Sequence, residues 1–171
     1  MRAVHLDDLS MMHPNLVWDD IAVAAMAVLM NFHHQPPFRI ELSIVEVPGC
    51  PEDKLRLSIY PGKISATRVN RIRRTHEATR LVEMAAIAIA GLGLYYAGEH
   101  QIRDISLPGN GADYLVDAEN YLLEIAGRSR RSDFEGAWRQ KWERLSAGVG
   151  GGFYVFVAEF ETPAARLGFQ D

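Results

Sequence analysis

The segment Phe153-Tyr154-Val155-Phe156-Val157-Ala158 constrains the fold of this 171-residue chain more than any other stretch. It is apolar at every position and ends near Phe160, so neither face of the strand it forms can be left to water. A strand of that kind belongs inside a sheet covered on both sides, which predicts an α/β architecture. Hydrophobic residues make up 48% of the chain and charged residues 23%, so one domain of this length can bury a substantial core.

Charge and cysteine content narrow the setting. The net charge of −4 gives no general basic character, so any nucleic-acid contact has to come from local patches. Cys50 is the single cysteine, which excludes an intramolecular disulfide and suits a reducing cytoplasm. Met1–Asp8 carries acids where a signal peptide has its apolar core. The longest apolar run, Met84–Ala97, is shorter than the roughly 20 residues a bilayer requires, and its Ala and Gly content suits a helix buried in protein. A cytoplasmic protein with no membrane partner is expected.

The first third reads as a helix and a hairpin. Asp19 or Asp20 caps a helix through Ala22–Phe32, which stops before Pro36-Pro37. Alternation then marks one strand around Phe38–Ile44 and a second around Leu55–Ile59, closed by Pro61-Gly62. A long helix is predicted over Ala66–Ala97, charged in its first half and apolar in its second. On that helix Glu77 shares a line with Leu81, Met84 and Ala88. A short strand around Ile102–Leu107 follows. Ser132 and Glu135 have capping-box spacing and open a helix with Phe134, Ala137, Trp138, Trp142 and Leu145 on one face. Trp138 and Trp142 are read as core, and His33-His34 as a helix terminus favoured by its dipole.

Between these elements lie two short strands joined by a tight turn, Gly111–Asp117 and Asn120–Arg128. Alternation puts Asp113 on one face of the first and Glu124 on one face of the second. Paired face to face, the two carboxylates enter the same space, where they can hold a hard divalent cation through oxygen ligands. Asp113 also reads as a strand start after the polar turn Gly109-Asn110-Gly111, and Asp117 as turn chemistry. Glu124 interrupts an apolar run, so it needs a cationic partner or a metal. Arg128, Arg130 and Arg131 are available as such partners.

The order from residue 66 on is helix, three strands, helix, strand, with an acid on the middle strand and a glutamate on the third. That pattern resembles the PD-(D/E)xK, or restriction-endonuclease-like, nuclease superfamily over about residues 66–160, with residues 1–62 as an N-terminal helix and hairpin extension. The resemblance implies a restriction-endonuclease-like core and magnesium-dependent hydrolysis of phosphodiester bonds in DNA, manganese serving as a substitute. It implies Asp113 and Glu124 as metal ligands, with Glu77 completing the set and Glu83 as its substitute. The family's lysine falls at Ala126, where no ammonium exists to position water or offset phosphate charge.

Two residues are candidates for that role. Lys141 on the following helix would bring its ammonium within about 4 Å of Glu124, and Arg128 shares the strand face of Glu124, although an arginine stays protonated and makes a poor base. Arg73 and Arg74, with Arg128, Arg130 and Arg131, flank the site and are expected to contact phosphate. The alternative is a catalytically inactive relative that binds nucleic acid or a protein partner, supported by Ala126. A symmetric homodimer, or a protein partner docked on the N-terminal extension, is compatible with either reading.

Overall fold

A computed structural model describes residues 1–107 and 112–171. The chain opens with strand β1 (Arg2–His5), a 3-10 turn, the one-turn helix α1 (Leu9–Met12) and helix α2 (Asp19–Asn31). Strands β2 (Phe38–Val45) and β3 (Lys54–Tyr60) follow, then helices α3 (Ala66–Thr75) and α4 (Ala78–Gly98). Strands β4 (Ile102–Ile105), β5 (Tyr114–Val116) and β6 (Tyr121–Arg128) lead to helix α5 (Phe134–Gly148), and β7 (Phe153–Glu159) and β8 (Ala164–Gln170) close the chain.

The eight strands of the described residues lie in one sheet of order β1-β3-β2-β8-β7-β6-β5-β4. β4, β5 and β6 form an antiparallel meander, β6 runs parallel to β7, and β7 pairs antiparallel with β8. The β2–β3 hairpin continues the same sheet, because β2 pairs in parallel with β8. The N-terminal elements are therefore part of the one sheet.

β7 is covered on both faces. Tyr154, Phe156 and Ala158 enter the larger core beneath α2 and α4, while Phe153, Val155 and Val157 enter a smaller one beneath α5. Each such large apolar side chain is stabilised by about 1.5–3 kcal/mol on burial, so β7 serves as the central beam. α4 is the one helix among the described residues long and apolar enough to cross a bilayer, and 72% of its apolar window is buried inside the protein. Its small residues allow close packing: the Cα of Gly127 on β6 faces the Val82 carbonyl of α4, which a Cβ would meet at 2.6 Å.

Several expectations need correction. The predicted helix over 66–97 is two helices, because His76 (φ −125°, ψ 145°) and Glu77 (φ −64°, ψ 155°) are extended. α3 turns its Val69 and Ile72 inward against α2, whereas α4 carries the main core. No proline or glycine marks the break. The Ser132–Glu135 capping box does not form, since residues Arg131–Asp133 make a 3-10 turn and Asp133 occupies the cap without a side-chain bond. Glu135 instead grips Arg166 through two bonds of 2.9 and 3.0 Å. Asp19 and Asp20 lie in the first turn of α2, and Trp18 is its cap. β1 and β8 were not expected, although Ala165, Leu167 and Phe169 carry the alternation of a strand. The turn at Gly109-Asn110-Gly111 lies outside the described residues.

Candidate functional site

The site arises where β5 and β6 part. β5 is short, and its ladder with β6 runs only from Val116↔Tyr121 to Tyr114↔Leu123. Past Leu123, β6 keeps its pairing with β7 while its other edge opens. Asp113 occupies the opening. Its backbone N–H donates to Leu123 O (2.9 Å), its carbonyl accepts from Ser106 N (3.0 Å), and its Oδ2 accepts from Ile125 N (2.8 Å). Asp113 is thus tied to β6 by two bonds and to Ser106 by a third, and the bond its exposed carboxylate accepts from Ile125 N substitutes for a missing ladder partner.

Glu124 lies on the α5 side of β6 and is 5% exposed. Two cations of α5 converge on its Oε1: Lys141 Nζ at 2.7 Å and Arg144 Nη2 at 2.6 Å. They stand three residues apart on one helix face. Ala126, two residues along the same strand face, is buried in the cluster beneath α5 with Phe134 and Ala137. The small side chain at 126 lets the helix come down on the strand, and Lys141 reaches the glutamate from above. The expected contact between Lys141 and Glu124 is therefore present. A carboxylate so deeply buried needs compensation of this kind, and charge-assisted bonds near 2.7 Å supply it.

These groups open into a pocket of about 380 Å³, lined by Asp113, Glu124 and Lys141, by Arg80 and Glu83 of α4, and by Tyr114 and Arg128 among others. Burial first, and the charge of Asp113 second, push the Tyr114 phenol up, so it remains a neutral hydrogen-bond donor at physiological pH. Three cations and three carboxylates line this pocket, with Arg80 paired to Glu83 and Lys141 to Glu124.

The other candidates fall unevenly. Glu77 is an exposed residue at the N-cap of α4 and does not line the pocket; the helix break takes it off the line with Leu81 and Met84. Glu83 lines the pocket instead, paired with Arg80 at 3.1 Å. Arg128 lines the pocket and donates to Gly127 O. Arg74 and Arg130 are exposed. Arg73 turns back on α2 and donates to Ala27 O (3.2 Å), so it serves helix packing. Arg131 stacks on Phe134 and lies 3.7 Å from the buried Glu159.

His34 Nε2 donates to Phe160 O, and among the described residues no three His, Cys, Asp or Glu side chains gather as a metal cluster. Trp138 and Trp142 stack on each other with their edges against Gly168, in keeping with a packing role. Asp117 is a turn residue at positive φ, accepting from Gln101 N and pairing with His100 at 2.7 Å. Arg144 escaped sequence reasoning; its only signal is a position three residues beyond Lys141. Comparison of the chain with family models, curated proteins and solved structures finds no match.

Proposed function

We propose that this chain is a divergent PD-(D/E)xK-like nuclease that hydrolyses phosphodiester bonds in DNA with the help of a divalent cation. The observation that carries the reading is the 2.7 Å contact between Lys141 Nζ and Glu124 Oε1, above a strand position where alanine replaces the motif lysine. The element order supports it: α4, the β4–β5–β6 meander, α5 on the opposite face, and β7 parallel to β6 follow the order of a restriction-endonuclease-like core.

Asp113 and Glu124 are hard oxygen donors facing one pocket. They fit magnesium, which is commonly bound by one or two carboxylates and completes its shell with water and substrate phosphate. When bound there, the cation supplies Lewis-acid polarisation of the phosphate and an activated water. Lys141, held at the pocket by Glu124, would be placed to orient a water and to offset negative charge on a phosphate. Arg128 and Arg80 hold the phosphate oxygens, and Tyr114 contributes a neutral donor.

The direct test is incubation of the purified protein with supercoiled and single-stranded DNA in magnesium or manganese. Nicking or cutting is expected, with a loss of at least about a hundredfold in Lys141→Ala, the scale of removing one electrostatic group from a transition state. No cleavage by the wild type on either substrate rejects the enzyme. A second reading, an inactive DNA-binding relative, is favoured by one observation: Arg144 adds a second cation to the same oxygen of Glu124. It requires retention of DNA that is sensitive to salt and indifferent to metal.

A further inference from the structure

We propose that Arg144 is a built-in counter-ion on Glu124 that a divalent cation has to displace, so that metal uptake is regulated by this arginine; the inference rests on the metal-dependent reading above. Oε1 of Glu124 receives Lys141 Nζ at 2.7 Å and Arg144 Nη2 at 2.6 Å. A carboxylate oxygen has two lone pairs, and both on Oε1 are taken. A metal ligated through this oxygen removes one of the cations. A metal ligated through the other oxygen still meets a fixed positive charge a few ångströms away, and like charges so close repel strongly.

Exposure decides which cation yields. The Lys141 side chain is 23% exposed and lines the pocket, whereas that of Arg144 is 49% exposed. The half-exposed Arg144 head is already better hydrated than the Lys141 ammonium, so of the two it gains less by staying on Glu124. Losing Arg144 leaves Glu124 paired with Lys141, so the buried carboxylate is never stripped of compensation. The lysine is the resident partner and the arginine the exchangeable one.

Calorimetric titration of the full-length protein with manganese chloride at low ionic strength tests the idea. Arg144→Gln is expected to bind manganese about three- to tenfold more tightly than wild type, the range of a partly exposed charge-assisted contact released from competition. Arg144→Lys, which restores a positive charge, should return the affinity to within about twofold of wild type. Circular dichroism confirms that each variant is folded. Equal affinity in wild type and Arg144→Gln, both abolished by Glu124→Gln, overturns the role of Arg144 and leaves the metal site intact. No manganese uptake by wild type or Arg144→Gln overturns both the inference and the metal-dependent reading.

Discussion

Buried ionisable side chains show how environment selects a charge state residue by residue. Glu124 is compensated from α5, but His13 is fully buried and is held by backbone alone: Nε2 donates to Gly91 O (2.8 Å) and Nδ1 accepts from Ile102 N (2.9 Å). That pattern requires the neutral ring with its proton on Nε2. Burial is the main cause holding the His13 pKa below the ordinary imidazole value, against opposing contributions from the Gly91 hydrogen bond and the charge of Asp117. The sign follows from linkage. With the folded pKa below the unfolded one, the stabilisation is complete above about pH 6.5 and is lost as the pH falls below it. The loss has a ceiling of about 1.4 kcal/mol per pH unit for one proton. Urea midpoints measured between pH 8 and pH 5 should therefore drop on the acid side, and His13→Asn, which cannot titrate, should show a shallower drop. Parallel curves for the two proteins would contradict this assignment. At this scale Glu124 was legible, because a lone acid in an apolar strand demands a partner; Lys141 was suggested by the resemblance, with helical spacing placing it on the sheet-facing side of α5. Arg144 was not, since a half-exposed arginine on a helix looks like any solvated residue.

Among the elements, the seam between β6 and α4 holds the strand that carries Glu124. Gly127 is the closest point of that seam: an added Cβ would meet the Val82 carbonyl at 2.6 Å and the Ala86 Cβ at 3.0 Å. Backbone cannot yield as a side-chain end does, so Gly127→Ala should cost about 1–3 kcal/mol by overpacking. It should also impair any metal binding at Glu124. Gly136 on α5 provides the contrast, with open space around its added Cβ. Gly136→Ala should stabilise the protein by roughly 0.5–1 kcal/mol through helix propensity. Chemical denaturation of the two variants checks both signs at once. The α3–α4 break belongs to this scale as well. Residues 75–78 contain no proline or glycine, so local propensity supports one helix, but the face of Val69 and Ile72 continues onto His76, Thr79 and Glu83, and α3 packs on α2 while α4 carries the main core.

For the whole molecule, the sheet makes the N-terminal segment part of the fold. β2 is the neighbour of β8, and α2 covers α4 with Ala24, Ala25, Ala27 and Val28, each at most 2% exposed. Residues 63–171 alone would leave the apolar side of α4 bare and an edge of β8 unpaired. That fragment should show no cooperative thermal transition by circular dichroism, whereas the full chain should show one. A cooperative transition in the fragment would establish that residues 63–171 fold independently.

The sequence by itself determined the α/β class, the doubly covered β7, the β2–β3 hairpin and the need of Glu124 for a cationic partner. Each follows from local periodicity: two residues for strands, 3.6 for helices, and the cost of an uncompensated buried charge. Tertiary structure decided the rest. It placed β1 and β8 in one sheet with the hairpin, divided the long helix, moved Glu83 into the pocket in place of Glu77, turned Arg73 onto α2 and brought Arg144 onto Glu124. These outcomes depend on which surfaces meet across long stretches of chain, and a local pattern carries no record of the partner on the other side.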